Sequence, residues 1–354
     1  MRDVSNDSEL QTYYRQMVPH ALRPLWLDYK ELLQPEPRSK AIPYVWHWRD
    51  MYPQIMKAAE LVSTDEAERR VLMLMNPGLE GRDAITNTLY AGVQLVLPGE
   101  VAAAHRHTPS ALRFIIDGDG GGHTTVDGER IPMESGDLVL TPNWTWHDHG
   151  NHSGRPIIWL DGLDLPLANM LEATFFELFG DDMQPVTKPS DASVESWGAA
   201  AGLRPVGRQH TAAYSPLMHY QWRQTKPALE RLAAAGGGTP EDGAMLEYTN
   251  PQTGGHVMPT MACYAQVLAP GQRTAAHRHT CSAVYQVVEG RGQSIVNGEQ
   301  LDWERKDVFC VPGWAYHEHA NTSSEPAYLF SFTDLPVLES MDLLREQPHP
   351  KGRQ

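Results

Sequence analysis

The sequence predicts a mainly β protein built from two copies of one barrel, with a helical arm in front and a helical linker between them. Short strands separated by turn residues indicate a sandwich or a barrel. Residues 99–120 resemble residues 271–292, and residues 141–151 resemble residues 311–321, at offsets of 172 and 170 residues. A repeat of this kind implies two copies of one domain.

The first predicted element is a mainly helical arm over residues 1–87. Apolar residues recur at near-helical spacing from Ser8 to Leu33, with prolines interrupting them. Ser63 with Glu66 has the pattern of a capping box that opens a short turn. We expect an arm of this kind to pack on a barrel or on a neighbouring subunit.

The N-terminal barrel is predicted over residues 88–180, the linker over 181–258, and the C-terminal barrel with a final helix over 259–354. A Pro-, Ala- and Gly-rich composition marks the linker, in which one helix is predicted at Pro227–Ala235. The final helix is predicted at Val337–Arg345. The strands predicted in the first barrel are Tyr90–Leu97, Leu112–Ile116, Thr124–Val126, Leu138–Thr141 and Ile157–Leu160.

Composition and charge exclude several classes of protein. The 354 residues carry a formal charge of −15, which argues against a nucleic-acid partner because phosphate binding depends on clustered Lys and Arg. No apolar run approaches the roughly 20 residues that span a bilayer, so we expect no membrane partner. The N-terminal stretch is polar, and the three cysteines (Cys263, Cys281 and Cys310) show no CxxC spacing. We therefore expect a cytoplasmic protein without disulfides.

Three histidines in each copy form a candidate metal site. Side chains at i and i+2 of a strand share a face, so His105 and His107 aim two imidazoles at one point. His147 supplies the third after another apolar run, and neutral imidazoles suit a divalent transition metal without choosing sharply among metals. The corresponding residues of the second copy are His277, His279 and His317. A second metal site is predicted there with less support than the first.

Both copies resemble the cupin fold, a double-stranded β-helix or jelly-roll barrel. In the first copy Gly99, His105, His107 and Gly118 match the first cupin motif, although Ala111 stands where that motif has Glu. The second motif is met by Gly136, Pro142, His147 and Asn151, with Trp144 at a position usually held by Gly. Ala283 again replaces the Glu in the second copy. The resemblance implies a bicupin.

A closer resemblance is to the bicupin ring-cleaving dioxygenases, namely gentisate 1,2-dioxygenase and its relatives that act on salicylate and 1-hydroxy-2-naphthoate. It rests on stretches such as LYAGVQLVLPGEVAAAHRHTPSALRF, LTPNWTWHDHGN, YTNPQTGGHVMPT and LFSFTDLPVLESMDLLRE. The resemblance implies Fe(II) in the first cupin, one per chain, and the conversion of gentisate and O2 to maleylpyruvate. It also implies a homo-oligomer, a tetramer in this family.

Ala111 in the place of the motif's Glu has a chemical consequence. A metal held by three imidazoles alone keeps its full charge, unlike the usual non-heme iron site of two His and one carboxylate. A carboxylate ortho to a phenolic hydroxyl can chelate such a metal and restore the charge balance. This chemistry is expected for an aromatic carboxylate substrate that reacts with O2.

The other candidate residues surround the first triad. Arg113 lies among apolar residues, a poor place for an unpaired guanidinium, and the resemblance assigns it to the substrate carboxylate. The alternative is a structural salt bridge at the barrel rim. His149 shares the face of His147 and could bind substrate or O2, and Asp161 could orient it or meet a ring hydroxyl. The repeat places Tyr285, His319 and Ser331 at the positions of Arg113, His149 and Asp161, so we expect catalysis in the first barrel alone.

Gln94, Tyr90, Trp146 and Arg69 complete the predicted site. Gln94 lies inside an apolar strand and is assigned to substrate binding and catalysis, with a structural amide as the alternative. Tyr90 and Trp146 are predicted to wall the aromatic pocket, unless they are core residues. Arg69 resembles a substrate-facing arginine that the arm supplies.

Gentisate is the favoured substrate. The salicylate-cleaving relative has a further arginine four residues before the position of Arg69, and this chain has Asp65 there. The alternatives are salicylate or 1-hydroxy-2-naphthoate 1,2-dioxygenase activity, and a non-redox metal cupin that acts as an isomerase or a binding protein.

Overall fold

Antiparallel strands dominate the computed structural model, which describes residues 8–63, 67–198, 203–207 and 209–354. The chain divides into two units between Arg38 and Ser39. Two residues used in the sequence predictions, Asp65 and Glu66, lie outside the described residues. Within the described part, no helix is both long and apolar enough to cross a membrane.

The first unit is helical and interrupted by prolines. Helix α1 (Ser8–Met17) is followed by a 3-10 helix (Val18–His20) that contains Pro19. Pro24 stands at the N-cap of helix α2 (Leu25–Leu32). Proline fixes φ and lacks an N–H, so it is tolerated at the start of a helix and interrupts a longer one.

The further helices with described bounds in the second unit are α3 (Trp48–Leu61), α4 (Leu165–Met170), α5 (Ala192–Trp197), α6 (Trp222–Ala234) and α7 (Leu335–Ser340). Helix α6 begins five residues before the predicted start at Pro227. The reason is a distant cap, because the Asp137 carboxylate accepts the backbone N–H of Trp222 at 2.8 Å. Helix α7 ends at Ser340 instead of Arg345, and the chain after it returns as a strand.

The described chain up to Tyr220 contains twelve strands. All of them except Tyr44–Trp46 belong to the N-terminal barrel. In chain order they are β1 (Tyr44–Trp46), β2 (Val71–Met73), β3 (Tyr90–Val96), β4 (Val101–His107), β5 (Ala111–Asp117), β6 (Asp119–Val126), β7 (Glu129–Glu134), β8 (Leu138–Thr141), β9 (His147–Asn151), β10 (Ile157–Leu163), β11 (Phe176–Leu178) and β12 (His219–Tyr220). One sheet has the order β12-β8-β5-β10-β3-β2, and the sheet that carries the histidines has the order β11-β4-β9-β6-β7.

The second half repeats this arrangement. Its strands are β13 (Ala244–Tyr248), β14 (Ala262–Leu268), β15 (His277–His279), β16 (Ala283–Glu289), β17 (Arg291–Val296), β18 (Glu299–Glu304), β19 (Val308–Val311), β20 (His317–Asn321), β21 (Ala327–Thr333) and β22 (Glu346–Pro348). The sheet orders are β1-β19-β16-β21-β14-β13 and β18-β17-β20-β15-β22. The predicted mainly β, two-barrel fold is confirmed.

The larger sheets of the two barrels share one hydrophobic core. Phe114 of β5 stacks on Phe330 of β21 with ring centroids 4.0 Å apart. Gly162 of β10 leaves room for a second ring of β21, since a Cβ there would lie 2.7 Å from Cζ of Phe332. Each barrel also has an apolar interior of its own.

Two segments that precede the barrels bridge them. The strand β1, which precedes the N-terminal barrel, pairs with β19 of the C-terminal one, and β12 of the predicted linker pairs with β8 of the N-terminal one. The helix after each of these strands is capped by an aspartate of a barrel. Asp307 accepts the backbone N–H of Trp48, the first residue of α3, at 2.7 Å. Asp137 accepts the backbone N–H of Trp222, the first residue of α6, in the same way. The predicted arm and linker thus contribute edge strands and helices to both barrels.

Candidate metal centre and anion pocket

The three predicted ligands of the first barrel converge. His105 and His107 end β4, His147 begins β9, and strand pairing sets His105 opposite His147. The ring centroids lie 5.3 Å apart for His105 and His107, 4.1 Å for His105 and His147, and 4.9 Å for His107 and His147. One nitrogen from each ring lies within 4.8 Å of the others.

Backbone carbonyls lie at Nδ1 of all three rings, and for His105 the carbonyl is that of Ala103 at 3.2 Å. Nδ1 of His107 bonds to the Pro109 carbonyl at 2.7 Å, and Nδ1 of His147 bonds to the Thr145 carbonyl at 3.0 Å. A ring that donates through Nδ1 keeps its proton there and presents Nε2 as a lone pair. Nε2 of His147 is buried and has no hydrogen-bond partner among the described residues.

The three imidazoles are held in their neutral form. Burial, together with the nearby Arg69 and Arg113, lowers the pKa of His105 to about 2. Burial lowers the pKa of His107 to about 4 and that of His147 well below its ordinary value. Neutral imidazole is the form that binds a metal, so this donor set fits a divalent transition ion.

Arg113 and Asp161 form a buried pair next to the triad. They lie opposite each other on β5 and β10, with Nε of Arg113 3.5 Å from Oδ1 of Asp161. Asp161 also accepts the indole N–H of Trp159 at 2.8 Å, and Arg113 donates to the Thr141 hydroxyl. Burial raises the pKa of Asp161 against the opposing effect of Arg113.

Two more predicted residues, Arg69 and Tyr90, interact with this pair. Arg69 donates to the Ala103 carbonyl at 2.8 Å and contacts Nδ1 of His105. Burial and the charge of Arg113 lower the pKa of Arg69 to about 10. The Tyr90 hydroxyl lies against Gly92, the residue of β3 that pairs with Asp161, since a Cβ at Gly92 would lie 2.8 Å from it. Burial and the charge of Asp161 raise the pKa of Tyr90.

His149 and Gln94 each keep a buried polar atom without a partner among the described residues. Nδ1 of His149 meets the Thr124 hydroxyl at 2.8 Å, while its Nε2 has no such bond. Burial, with the arginines nearby, lowers the pKa of His149 well below its ordinary value. The amide nitrogen of Gln94 is likewise buried and unbonded.

Trp146 is placed differently from the rest of the predicted site. Its ring packs on the guanidinium of Arg106, 4.4 Å from the centroid, and edge-on to Phe179 at 5.0 Å. It precedes His147, and neighbours in an extended chain face opposite ways. These contacts lie on the outer side of the histidine sheet.

Arg106 forms a clamp that the histidine pattern did not reveal. Its guanidinium lies 4.4 Å from the rings of both Trp144 and Trp146, and it bonds Glu177 of the covering strand β11 at 2.8 and 2.6 Å. Trp144 has a left-handed φ of 61°, which explains why the cupin motif commonly has Gly there. Stacking on Arg106 compensates for the backbone conformation of this tryptophan.

The second barrel repeats the clamp and the triad. Arg278 lies 4.2 Å from the ring of Trp314 and 4.4 Å from that of Tyr316. The second set of three histidines also converges within 4.8 Å, and it consists of His277, His279 and His317. Tyr285 and Ser331 face each other in the register that Arg113 and Asp161 have in the first barrel.

Two supporting residues of the first site were missed from the sequence. Thr124 orients His149, and Thr141 accepts from Arg113. The repeat carried a signal for Thr124, because its counterpart Ser294 bonds His319 at 2.7 Å in the same way. Thr141 corresponds to Val311 and left no such signal.

The fold and the two histidine triads define a class, the metal-binding bicupins, and comparison with known proteins agrees. The cupin domain family matches residues 92–162 and 264–333. The chain is 41% identical to gentisate 1,2 dioxygenase 1 of Aquipseudomonas alcaligenes, with 96% of each chain covered. It is also 41% identical to 5-aminosalicylate 1,2-dioxygenase of a Comamonas species, covering 98% of this chain and 92% of that one.

Solved structures agree with these relatives. The crystal structure of salicylate 1,2-dioxygenase from Pseudoaminobacter salicylatoxidans as an adduct with gentisate matches with a TM-score of 0.90 at 36% identity, over 98% of this chain and 95% of that one. The chain belongs to the gentisate and salicylate 1,2-dioxygenase family of ring-cleaving cupins, and it is a dioxygenase.

Proposed function

We propose that this chain is an Fe(II)-dependent extradiol-type dioxygenase that opens the ring of gentisate (2,5-dihydroxybenzoate) with O2 and yields maleylpyruvate in aromatic catabolism. The observation that carries the proposal is the buried Arg113–Asp161 pair beside a neutral histidine triad, found in one of two otherwise matching barrels. Family members named for gentisate and for substituted salicylates support the substrate class.

His105, His107 and His147 are the residues that would hold the iron, and Ala111 leaves the triad without the acidic ligand of the motif. Ferrous iron bound there would supply an electron-rich centre for the activation of O2 and a Lewis acid for an ortho-hydroxy carboxylate. One iron per N-terminal barrel follows from this triad.

Arg113 is suited to bind the substrate carboxylate. A guanidinium has five N–H donors, of which the Thr141 hydroxyl takes one. Nε of Arg113 is buried without a hydrogen bond, and its approach to Asp161 is long at 3.5 Å. An arginine with only a structural role would have its buried donors satisfied, so the spare donors favour anion binding.

His149 is suited to accept a hydrogen bond from the substrate. The Thr124 hydroxyl donates to Sδ of Met133 at 3.2 Å, so Nδ1 of His149 donates to that hydroxyl. The proton on Nδ1 leaves Nε2 as an acceptor toward a phenolic hydroxyl. Asp161, Tyr90, Gln94 and Arg69 would orient the ring and its second hydroxyl.

The test is ring opening of gentisate by Fe(II)-loaded protein in air. We expect O2 uptake to match gentisate loss, with maleylpyruvate appearing by its absorbance and both atoms of isotopically labelled O2 in the product. Failure to turn over gentisate or any other ortho-hydroxy aromatic acid would refute the proposal.

A substrate panel separates gentisate from the alternatives within the family. Salicylate, 5-aminosalicylate and 1-hydroxy-2-naphthoate present the same carboxylate and phenol but differ in the ring position where gentisate has its second hydroxyl. We expect the highest kcat/KM for gentisate. A higher value for 1-hydroxy-2-naphthoate or salicylate would reassign the substrate and leave the roles of the residues intact.

Membership of the dioxygenase family argues against the other class, a non-redox cupin that acts as an isomerase or a binding protein. Such a protein would need no O2, so activity should be lost under nitrogen.

The proposal includes a homo-oligomer, a tetramer by family resemblance, that acts in the cytoplasm. Cys263, Cys281 and Cys310 are all free and buried, which fits a reducing compartment. Light scattering coupled to size-exclusion chromatography would measure the number of subunits.

A further inference from the structure

Each barrel holds a buried histidine beside its triad, and this histidine contacts a hydroxyl of the neighbouring strand. His149 pairs with Thr124, and His319 pairs with Ser294 in the same register. Nδ1 of His149 lies 2.8 Å from the Thr124 hydroxyl, and Nδ1 of His319 lies 2.7 Å from that of Ser294. Nε2 of both rings is buried and has no hydrogen-bond partner among the described residues. What each Nε2 offers to a ligand depends on which nitrogen of its ring carries the proton.

The two hydroxyls contact different third residues. Met133 of β7 contacts Thr124, and Trp303 of β18 contacts Ser294. These two residues correspond by the repeat offset of 170, and both are buried. A thioether sulfur can only accept a hydrogen bond, whereas an indole N–H can only donate one. The same position of the repeat therefore supplies an acceptor in one barrel and a donor in the other.

In the first barrel the sulfur sets the direction of the hydrogen bonds. The Thr124 hydroxyl donates to Sδ of Met133 at 3.2 Å. A hydroxyl has one hydrogen, so the same oxygen accepts a hydrogen bond from Nδ1 of His149. With the proton on Nδ1, the ring has a lone pair on Nε2 and presents an acceptor.

In the second barrel the indole reverses this direction. Nε1 of Trp303 donates to Oγ of Ser294 at 2.9 Å. The Ser294 side chain is buried, and Nδ1 of His319 is the acceptor described for its hydrogen. Because buried hydroxyls are normally satisfied, Nδ1 of His319 accepts this hydrogen bond and Nε2 carries the proton. His319 thus presents a donor where His149 presents an acceptor.

We propose that Met133 and Trp303 select opposite tautomers of the two histidines, and that Met133 is thereby a positioning residue for the reaction of the first barrel. The second part rests on the proposed function, which gives His149 a contact with the substrate. A lone pair on Nε2 of His149 accepts from a phenolic hydroxyl, whereas an N–H there would leave the hydrogen of that hydroxyl without an acceptor. Met133 acts on the substrate only through Thr124 and His149.

The tautomers can be measured by ¹⁵N NMR, which separates protonated from unprotonated ring nitrogens. The sample is full-length protein with ¹⁵N-labelled histidines, loaded with Zn(II) because this ion is diamagnetic. The signals of the two rings are assigned by their absence from His149→Gln and His319→Gln. We expect the proton on Nδ1 of His149 and on Nε2 of His319. The same tautomer in both rings, or the reverse assignment, would overturn the proposal.

Two substitutions test whether the third residue makes the choice. Met133→Leu removes the sulfur acceptor with little change in side-chain volume. The Thr124 hydroxyl should then donate to Nδ1 of His149, and the ring proton should move to Nε2. Trp303→Met is the reciprocal change and should move the proton of His319 to Nδ1. An unchanged His149 tautomer in Met133→Leu protein with native circular dichroism would contradict the role of Met133.

Kinetics with gentisate test the consequence for the reaction. Met133→Leu should lower kcat/KM about tenfold, as expected for the loss of one buried hydrogen bond to the substrate. Met258→Leu is the matched control, because it makes the same substitution in the core that the barrels share, and it should change neither kcat/KM nor the tautomers. A shifted tautomer with unchanged kcat/KM would refute the positioning role. The NMR measurement needs no turnover, so failure of the proposed function would be seen separately.

Discussion

The two barrels of this chain have the same histidine triad and differ in what faces it. Each triad spans the same two strands, and each is flanked by an arginine clamped between two aromatic rings. In one barrel the neighbouring strands present Arg113 and Asp161, and in the other they present Tyr285 and Ser331 in the same register. The histidines therefore mark two candidate metal sites, and the pair of residues that faces each triad distinguishes one site from the other.

The largest expected effect comes from removing one metal ligand in each barrel. His147→Ala should lower ring-cleavage kcat/KM by more than about 100-fold, because even indirect partners of a metal site cost 10–100-fold. His317→Ala should leave the N-terminal site able to bind metal and substrate. Steady-state kinetics with metal content measured on the same samples checks both. Equal losses from the two substitutions would show that the barrels are not chemically distinct.

Replacing Arg113 and Asp161 by the residues at their positions in the second barrel, Tyr and Ser, tests the difference directly. Arg113→Tyr should lower the free energy of unfolding by about 3 kcal/mol, since it leaves the Asp161 carboxylate buried and unpaired. The double variant Arg113→Tyr with Asp161→Ser should regain most of that stability but no activity. Denaturant unfolding and kcat/KM for gentisate measure the two quantities. Normal turnover by either variant, or by Arg113→Ala, would show that Arg113 does not bind the substrate.

The two segments that bridge the barrels, around β1 and β12, differ in the number of carboxylates that their histidines contact. This difference predicts that the free energy of unfolding depends on pH. His219 bonds Asp137 at 2.8 Å and Asp191 at 2.9 Å, whereas His47 bonds Asp307 at 2.9 Å. Burial lowers the pKa of His219, but the two carboxylates outweigh burial and raise the pKa to about 9.

A raised pKa in the folded state means that protonation of His219 stabilises the fold. This contribution is complete below the unfolded pKa of about 6.5 and is lost as the pH rises toward 9. The loss should be on the order of 3 kcal/mol, since one pKa unit corresponds to about 1.4 kcal/mol. Urea unfolding from pH 6 to 10 should show it in wild type and not in His219→Gln. A slope that persists in the variant would assign the effect to another group.

The smallest expected effect concerns the clamps. Arg106→Ala removes two cation–π contacts and the bond to Glu177, so the strand that carries His105 and His107 becomes less fixed. We expect metal affinity of the first site to fall about tenfold, as for loss of an outer partner of a metal site. Arg278→Ala is the matched control and should affect only the second site. Metal titrations of the two variants should each show weaker binding at one site only, and weaker binding at both sites in either variant would contradict a local effect.

Much of the fold and of the histidine triads could be predicted from the sequence, because both depend on local residue patterns and on the internal repeat. The i, i+2 spacing of His105 and His107 gives their shared face, and the repeat gives the two barrels. The resemblance assigned Arg113, the place of Asp161 in an apolar strand singled out that carboxylate, and the structure brings the two residues together.

Contacts made over long sequence distances could not be predicted in this way. The strands β1 and β12 are three and two residues long, and no pattern in the nearby sequence indicates which strands they pair with. The start of α6 depends on Asp137, a residue 85 positions earlier. The outward packing of Trp146 depends on Arg106, which the spacing of the histidines does not reveal.

The bridging segments have a consequence for how the protein is made. His47 lies 260 residues before its partner Asp307, so β1 has no partner strand until the C-terminal barrel has left the ribosome. Contacts of such sequence separation slow folding, because a long loop must close before they form. The strands of the N-terminal barrel end earlier, at Tyr220 of β12, so its hydrogen-bonded sheets can form first during synthesis. The C-terminal barrel, in contrast, gains its edge strand β1 from a segment made long before it.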